Sequence, residues 1–134
     1  MPKTLKQKII FKNQQVTVLY AMYLHSKEHT KLTGNNKAKI TAKEGAPFSI
    51  YDGYSFGKNL QLVKNKLIVQ SWRASDWSKN DIDSTLILSF EQKGKDAVII
   101  MSQVNVPDNQ AASLKTGWND FYWKPWREYL MLIG

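Results

Sequence analysis

The run Gly117-Trp118-Asn119-Asp120-Phe121-Tyr122-Trp123-Lys124-Pro125-Trp126-Arg127-Glu128-Tyr129-Leu130 limits what this chain can fold into more than any other segment. Three of the five tryptophans stand in it. Leu114, Trp118, Phe121, Pro125 and Tyr129 recur at spacings of three and four, which sets side chains on one side of a helix. A helix with such a side needs a broad apolar surface to press against. From Lys37 onward the hydrophobic period changes to two, and 38–43, 48–51, 54–63, 67–73, 84–91 and 97–104 read as strands. The breaks between them are short and polar. Asp52-Gly53 lies between two alternating runs, and glycine accepts the positive φ of a tight hairpin. Short turns imply an antiparallel meander.

Upstream, residues 5–11 end in the apolar run Ile9-Ile10-Phe11 and read as a first strand. Residues 16–24 and 27–32 read as short helices, the second capped by Ser26 and ended by Gly34. Pro125 removes a backbone donor inside the final helix and is expected to bend it near Phe121. The fold class is therefore α+β. A curved antiparallel sheet of about six to seven strands carries two short helices after its first strand and a long C-terminal helix.

Alternation assigns the faces. Phe48 and Ile50 share one; Ile68, Gln70 and Trp72 join it; so do Leu86, Leu88 and Phe90, and then Ile99, Met101 and Gln103. These groups are expected beneath Trp118, Phe121 and Tyr122. Two arrangements are open, a plain core or the wall of a ligand cavity. Gln70 and Gln103 are polar on an otherwise apolar face, and a few polar groups in an apolar concavity is how small-molecule sites are built. The candidate cavity residues are thus Phe48, Ile50, Gln70, Trp72, Leu86, Leu88, Ile99, Met101, Gln103, Trp118, Phe121 and Tyr122, with the two glutamines orienting a polar end of the ligand. Trp123 lies about 140° around the helix from Trp118. Trp118 should therefore be the less exposed of the two.

The 134 residues are read as one domain, 1–134. A hydrophobic share of 43% supports a real core. No apolar run approaches the roughly 18 residues of a membrane span, and the N-terminus lacks the apolar run of a signal peptide. Cysteine is absent, which removes disulfide and thiolate chemistry; a cytoplasmic location is expected. The net charge is +8, yet of nineteen cations only Arg73 and Arg127 are arginine. Lysines spread from Lys3 to Lys124 point to a solvated, self-repelling surface and not a nucleic-acid footprint. An acidic protein partner fits that charge.

Catalytic chemistry finds little support. His25-Ser26-Lys27-Glu28-His29 matches a metallopeptidase pattern, but Ser26 as a cap makes the histidines straddle a helix start and point apart. Both histidines look exposed. Asp76, Asp81 and Asp83 fall in the 74–83 loop, the segment expected to be most mobile. No serine or threonine stands in a nucleophile motif. No enzyme, metal or cofactor is expected.

Several segments resemble a known family in order. They are Val18-Leu19-Tyr20-Ala21, Leu32-Thr33-Gly34, Phe48-Ser49-Ile50-Tyr51-Asp52-Gly53, Gly57, Leu67-Ile68-Val69 with Trp72-Arg73, Ser84 with Leu86 and Leu88, and Gly117-Trp118 with Tyr122-Trp123. The chain resembles the family related to the C-terminal domain of the activator of the Hsp-90 chaperone ATPase, a branch of the START/Bet v-type (SRPBCC) superfamily. The resemblance implies the helix-grip fold, with a hydrophobic ligand commonly held between sheet and helix. Trp72, Trp118 and Tyr122 fall at the family's aromatic positions, and Gly53 and Gly57 at its hairpin glycines. Two departures stand out: Gly45-Ala46 where many relatives have two glycines, and Gln103 where many have histidine. The eukaryotic co-chaperones also carry a separate N-terminal domain, for which 134 residues leave no room. The resulting expectation is a non-enzymatic protein binding a small hydrophobic or amphipathic ligand. The alternative is a chaperone-associated or stress-response interaction module that meets an acidic protein through its basic face and the 74–83 loop.

Overall fold

The computed structural model describes residues 2–133. Six strands form one antiparallel sheet in the order β1-β6-β5-β4-β3-β2: β1 Lys3–Phe11, β2 Pro47–Ile50, β3 Ser55–Val63, β4 Leu67–Ala74, β5 Ser84–Lys93 and β6 Asp96–Val106. Strands β2 to β6 run as a meander, and β1 closes against β6. Helices α1 (Val16–Tyr23) and α2 (Ser26–Leu32) follow β1. The C-terminal helix consists of α3 (Ala111–Trp118), a π turn Asn119–Trp123 and α4 (Lys124–Ile133). It crosses the inner face of the sheet, where Trp118 meets Gln103 and Trp126 packs on Phe11. This is the helix-grip fold.

Strand register confirms the expected faces. Gln70 pairs with Leu86 and Leu86 with Gln103; Ile68 pairs with Leu88 and Leu88 with Met101. Residues directly opposite share a face, and all of these are buried. At about 25 cal/mol per Å², each large side chain removed from water contributes a few kcal/mol as an upper estimate. Gly57 serves close packing between β3 and β4. A Cβ built there would lie 1.8 Å from the Ser71 carbonyl oxygen, which no side chain can satisfy without backbone movement.

Five expectations change. Residues 38–43 form no strand; a single bridge joins Lys39 to Ser49. Side chains tie this segment down instead: the Asn59 amide donates to the carbonyls of Thr41 and Lys43, and the Ser26 hydroxyl to that of Ile40. Ser26 is thereby used as a tether, and no side-chain cap bond starts α2. The 74–83 loop is pinned by Arg73, whose guanidinium donates to the carbonyls of Asp81 and Ser78 and to the Asp83 carboxylate, while Trp77 is buried against Trp72. His29 is fully buried, whereas His25 is exposed.

The fifth change concerns the C-terminal helix. The buried stripe is Trp118, Tyr122, Trp126 and Leu130, together with Trp123. Phe121, Pro125 and Tyr129, expected on that stripe, lie one position off it. A π turn takes in one more residue than an α turn, so every inward position after it moves on by one. The same extra residue brings Trp123 round beside Trp118, ring centroids 5.5 Å apart and planes within 17°. The two are equally hidden, at 3% and 2% exposure, so the expected contrast between them does not exist.

Candidate functional site

Pro125 has no N–H to offer the carbonyl of Phe121, four residues earlier. The hydroxyl of Tyr51 donates to that carbonyl. Tyr51 comes from the β2–β3 connection, where Tyr51, Asp52 and Gly53 all hold positive φ, of 50°, 58° and 92°. For tyrosine that conformation is strained, whereas aspartate and glycine accept it. It turns the Tyr51 ring back toward the helix, 5.7 Å from Phe121 and 5.8 Å from Tyr122 between centroids. Burial pushes the Tyr51 hydroxyl up to about 12, so it remains a donor across the physiological range.

Between this turn and α3 lies a cleft of about 360 Å³. Tyr51, Tyr54, Phe121 and Leu114 border it, with Trp72, Trp118 and Tyr122 deeper, and Ser55, Ser113 and Gly117 complete the lining. None of these residues is charged. Trp118 is 6.0 Å from Trp72 and 5.0 Å from Tyr122, so the inner wall is a continuous aromatic surface. Phe121 is 57% exposed. The buried indole N–H of Trp72 has no partner, a condition shared by Trp77 and Trp126.

Behind this wall the polar groups are paired with one another. The Trp118 indole donates to Gln103 Oε1 at 2.8 Å, Gln103 Nε2 donates to Ser84 Oγ at 3.0 Å, and Ser84 Oγ donates to the Trp72 carbonyl at 2.6 Å. Gln70 donates to Asn59 Oδ1 at 2.9 Å and accepts from the Tyr23 hydroxyl. His29 Nδ1 lies 2.7 Å from the Tyr23 carbonyl, and Nε2 lies 2.7 Å from the Tyr122 hydroxyl. A carbonyl only accepts, so Nδ1 carries the proton and Nε2 accepts from tyrosine. Burial lowers the imidazole to about 4 and keeps it neutral. Burial also raises the Tyr122 hydroxyl well above its ordinary value.

The twelve candidate cavity residues therefore divide. Trp72, Trp118, Phe121 and Tyr122 border the cleft. Phe48, Ile50, Leu86, Leu88, Ile99 and Met101 are packed into the core, and Gln70 and Gln103 are held by internal partners. Sequence reasoning missed Tyr51 and Tyr54 as lining because it read them as the ends of strands 48–51 and 54–63, whereas β2 stops at Ile50 and β3 starts at Ser55, leaving both in the connection. Their flanking of Asp52-Gly53 was the available signal. His29 and Glu28 gather no metal set; among the described residues no three ligand-type side chains converge. Likewise among them, no helix is long and apolar enough to cross a membrane.

A second hollow, of about 870 Å³, lies beside α1, where Tyr20, Leu24 and Ile40 meet polar groups of Ser26, Thr41 and Lys64. Its walls are mixed, without the aromatic continuity of the first.

Comparison with known proteins places this arrangement. An activator of 90 kDa heat shock protein ATPase homolog from Dictyostelium discoideum is 32% identical over 77 residues, covering 57% of this chain and 20% of that protein. Activator of 90 kDa heat shock protein ATPase homolog 1 from Homo sapiens is 28% identical over 87 residues, covering 65% of this chain and 25% of that protein. The matches thus span about a quarter of these relatives. The crystal structure of PFC0360w, an HSP90 activator from Plasmodium falciparum, superposes with a TM-score of 0.83 at 21% identity, covering 90% of this chain and 91% of that one. The Aha1 dimer of Colwellia psychrerythraea has a TM-score of 0.75 at 14% identity, covering 89% and 90%. These last two likenesses show the shared fold. The family described as Activator of Hsp90 ATPase homolog 1-like protein matches residues 13–130. The chain belongs to this family, within the SRPBCC superfamily.

Proposed function

We propose that the chain is a non-catalytic interaction module acting on an Hsp90-type chaperone, in the cytoplasm where such a partner would meet it. The observation that carries this reading is the family match over residues 13–130, which includes both the sheet from β2 to β6 and nearly all of the gripped helix. A net charge of +8 suits an acidic partner surface. The test is to mix the purified chain with the Hsp90-type chaperone of its source organism, measuring complex formation and ATPase rate as salt is raised. Binding that weakens with salt, together with a changed ATPase rate, is expected. Neither complex nor rate change at low ionic strength would sink the proposal.

The aromatic cleft favours a second activity that can coexist with the first, the holding of a small apolar or amphipathic molecule. Its volume of about 360 Å³ falls within the size class of ligand sites, roughly 300–1,000 Å³. Its uncharged lining disfavours carboxylates and phosphates. An uncharged apolar or amphipathic compound fits this lining best. Tryptophan emission should shift when such a compound is added. Lipids, sterols and aromatic ketones that alter neither emission nor melting temperature would argue against it.

A further inference from the structure

We infer that the outer face of the sheet is a docking surface for an acidic protein, an assignment that rests on the interaction-module reading above and names the surface it uses. All helical elements lie on the other face: Tyr20 of α1 packs on Phe90, Trp118 on Gln103 and Trp126 on Phe11. The outward positions follow from register. Ile10 pairs with Val98, Ile100 with both Lys8 and Ser89, Ile87 with both Ser102 and Val69, and Val104 with Thr85. Their centre is therefore a β-branched patch of Ile10, Val98, Ile100, Ile87, Val69 and Val104. Val98 is only 2% exposed yet stands outside the core cluster, as a residue packed among outer-face neighbours would. Ile10 and Ile100 are 40% and 38% exposed.

Charge on this face is mostly positive, with Glu91, opposite Val98 at the β5–β6 end, as its one carboxylate outside an ion pair among the described residues. Lys6 and Lys8 flank the patch on β1, and Lys58, opposite Ser71, flanks it on β3. None of the three forms an ion pair among the described residues. The strands contain only two carboxylates, Glu91 and Asp96, both near the β5–β6 turn, and Asp96 is already engaged by Lys12 and the Asn13 N–H. An apolar centre rimmed by free ammonium groups matches a partner surface whose rim is acidic, since complementary charge steers encounter while apolar contact supplies affinity. A second copy would set the same lysines against each other. Nucleic acid is disfavoured because Arg73, the face's arginine, is consumed by the 74–83 loop and the centre offers no ring for stacking. An anionic membrane is disfavoured because Ser71, Thr85, Ser89 and Ser102 interleave the patch and ask for hydrogen-bonding partners.

The test uses the full chain in two arms. In the first, backbone amide shifts are followed while poly-L-glutamate is added. Shifts concentrated around Lys6, Lys8 and Lys58 are expected. Shifts spread evenly over all lysines, or centred on the cleft, overturn the inference whatever the chaperone does. In the second, affinity for the Hsp90-type chaperone is measured. Ile100→Glu and Ile87→Glu should each weaken it by about tenfold or more, and Lys6→Ala with Lys8→Ala should weaken it and flatten its salt dependence. Ile100→Lys separates charge sign from lost packing, and should weaken binding less than Ile100→Glu. Melting temperatures identify any variant that fails to fold. Unchanged affinity in all face variants, with loss in the cleft variant Phe121→Ser, overturns the inference. If the unsubstituted chain does not bind the chaperone, the proposed function falls and the poly-L-glutamate arm alone decides the face. Tighter binding to single-stranded RNA or to phosphatidylserine vesicles than to poly-L-glutamate, abolished by Ile100→Glu, reassigns the face to that class and overturns the inference.

Discussion

One proton separates two states of the Tyr23–His29–Tyr122 cluster. His29 accepts from Tyr122 only while Nε2 is bare, and its pKa of about 4 lies below the ordinary 6.5. The unfolded chain therefore binds more protons between those values, so stability is full above about pH 6.5 and falls as pH drops toward 4. The shift corresponds to about 3 kcal/mol. Urea midpoints measured across this window should show the loss, and His29→Gln should flatten the slope. Gln103 is also a bridge, accepting a hydrogen bond from the Trp118 indole and donating one to Ser84. Gln103→Leu is expected to cost about 1–3 kcal/mol by leaving the indole unpaired. Trp118→Phe removes the same bond from the other side, so the double variant should cost less than the sum in a denaturant titration.

At the scale of elements, the final helix is governed by a bond from outside it. The Phe121 carbonyl that Pro125 cannot serve is met by Tyr51, seventy positions away in sequence. Pro125→Ala supplies an N–H four residues on and removes the need for the tyrosine. Tyr51→Phe should therefore cost about 1 kcal/mol in the natural background and distinctly less beside Pro125→Ala. If the π turn reverts to α geometry, Trp123 leaves Trp118, and the near-ultraviolet circular dichroism of the stacked indoles should diminish. In the sheet, Gly57→Ala drives a Cβ into the Ser71 carbonyl and separates β3 from β4. A loss of more than about 4 kcal/mol is expected, enough to leave the chain largely unfolded in a thermal melt.

The whole molecule offers two faces of different character, an uncharged aromatic cleft on the gripped side and a lysine-rimmed aliphatic sheet on the other. A cleft ligand at about one hundred times its Kd should stabilise the fold by about 2.7 kcal/mol. Phe121→Ala at the cleft mouth should reduce the resulting thermal shift without lowering the melting temperature of the free protein, since this ring is mostly in water.

Much of this was legible in the chain. Period-two runs gave five of the six meander candidates and their buried faces, because alternation is local and every strand has the same pleat. The 38–43 run alternates equally well but is held by Asn59 and Ser26, so local pattern could not distinguish a tethered segment from a strand. The cleft was half visible: Trp72, Trp118 and Tyr122 belong to periodic elements, while Tyr51 and Tyr54 belong to a connection whose direction depends on positive φ. By itself the sequence determined that an aromatic helix must be gripped by an antiparallel sheet. Only the tertiary structure decided which aromatics turn inward, because the phase of that helix depends on a π turn at a proline-freed carbonyl, and the group that meets that carbonyl comes from the far end of the sheet.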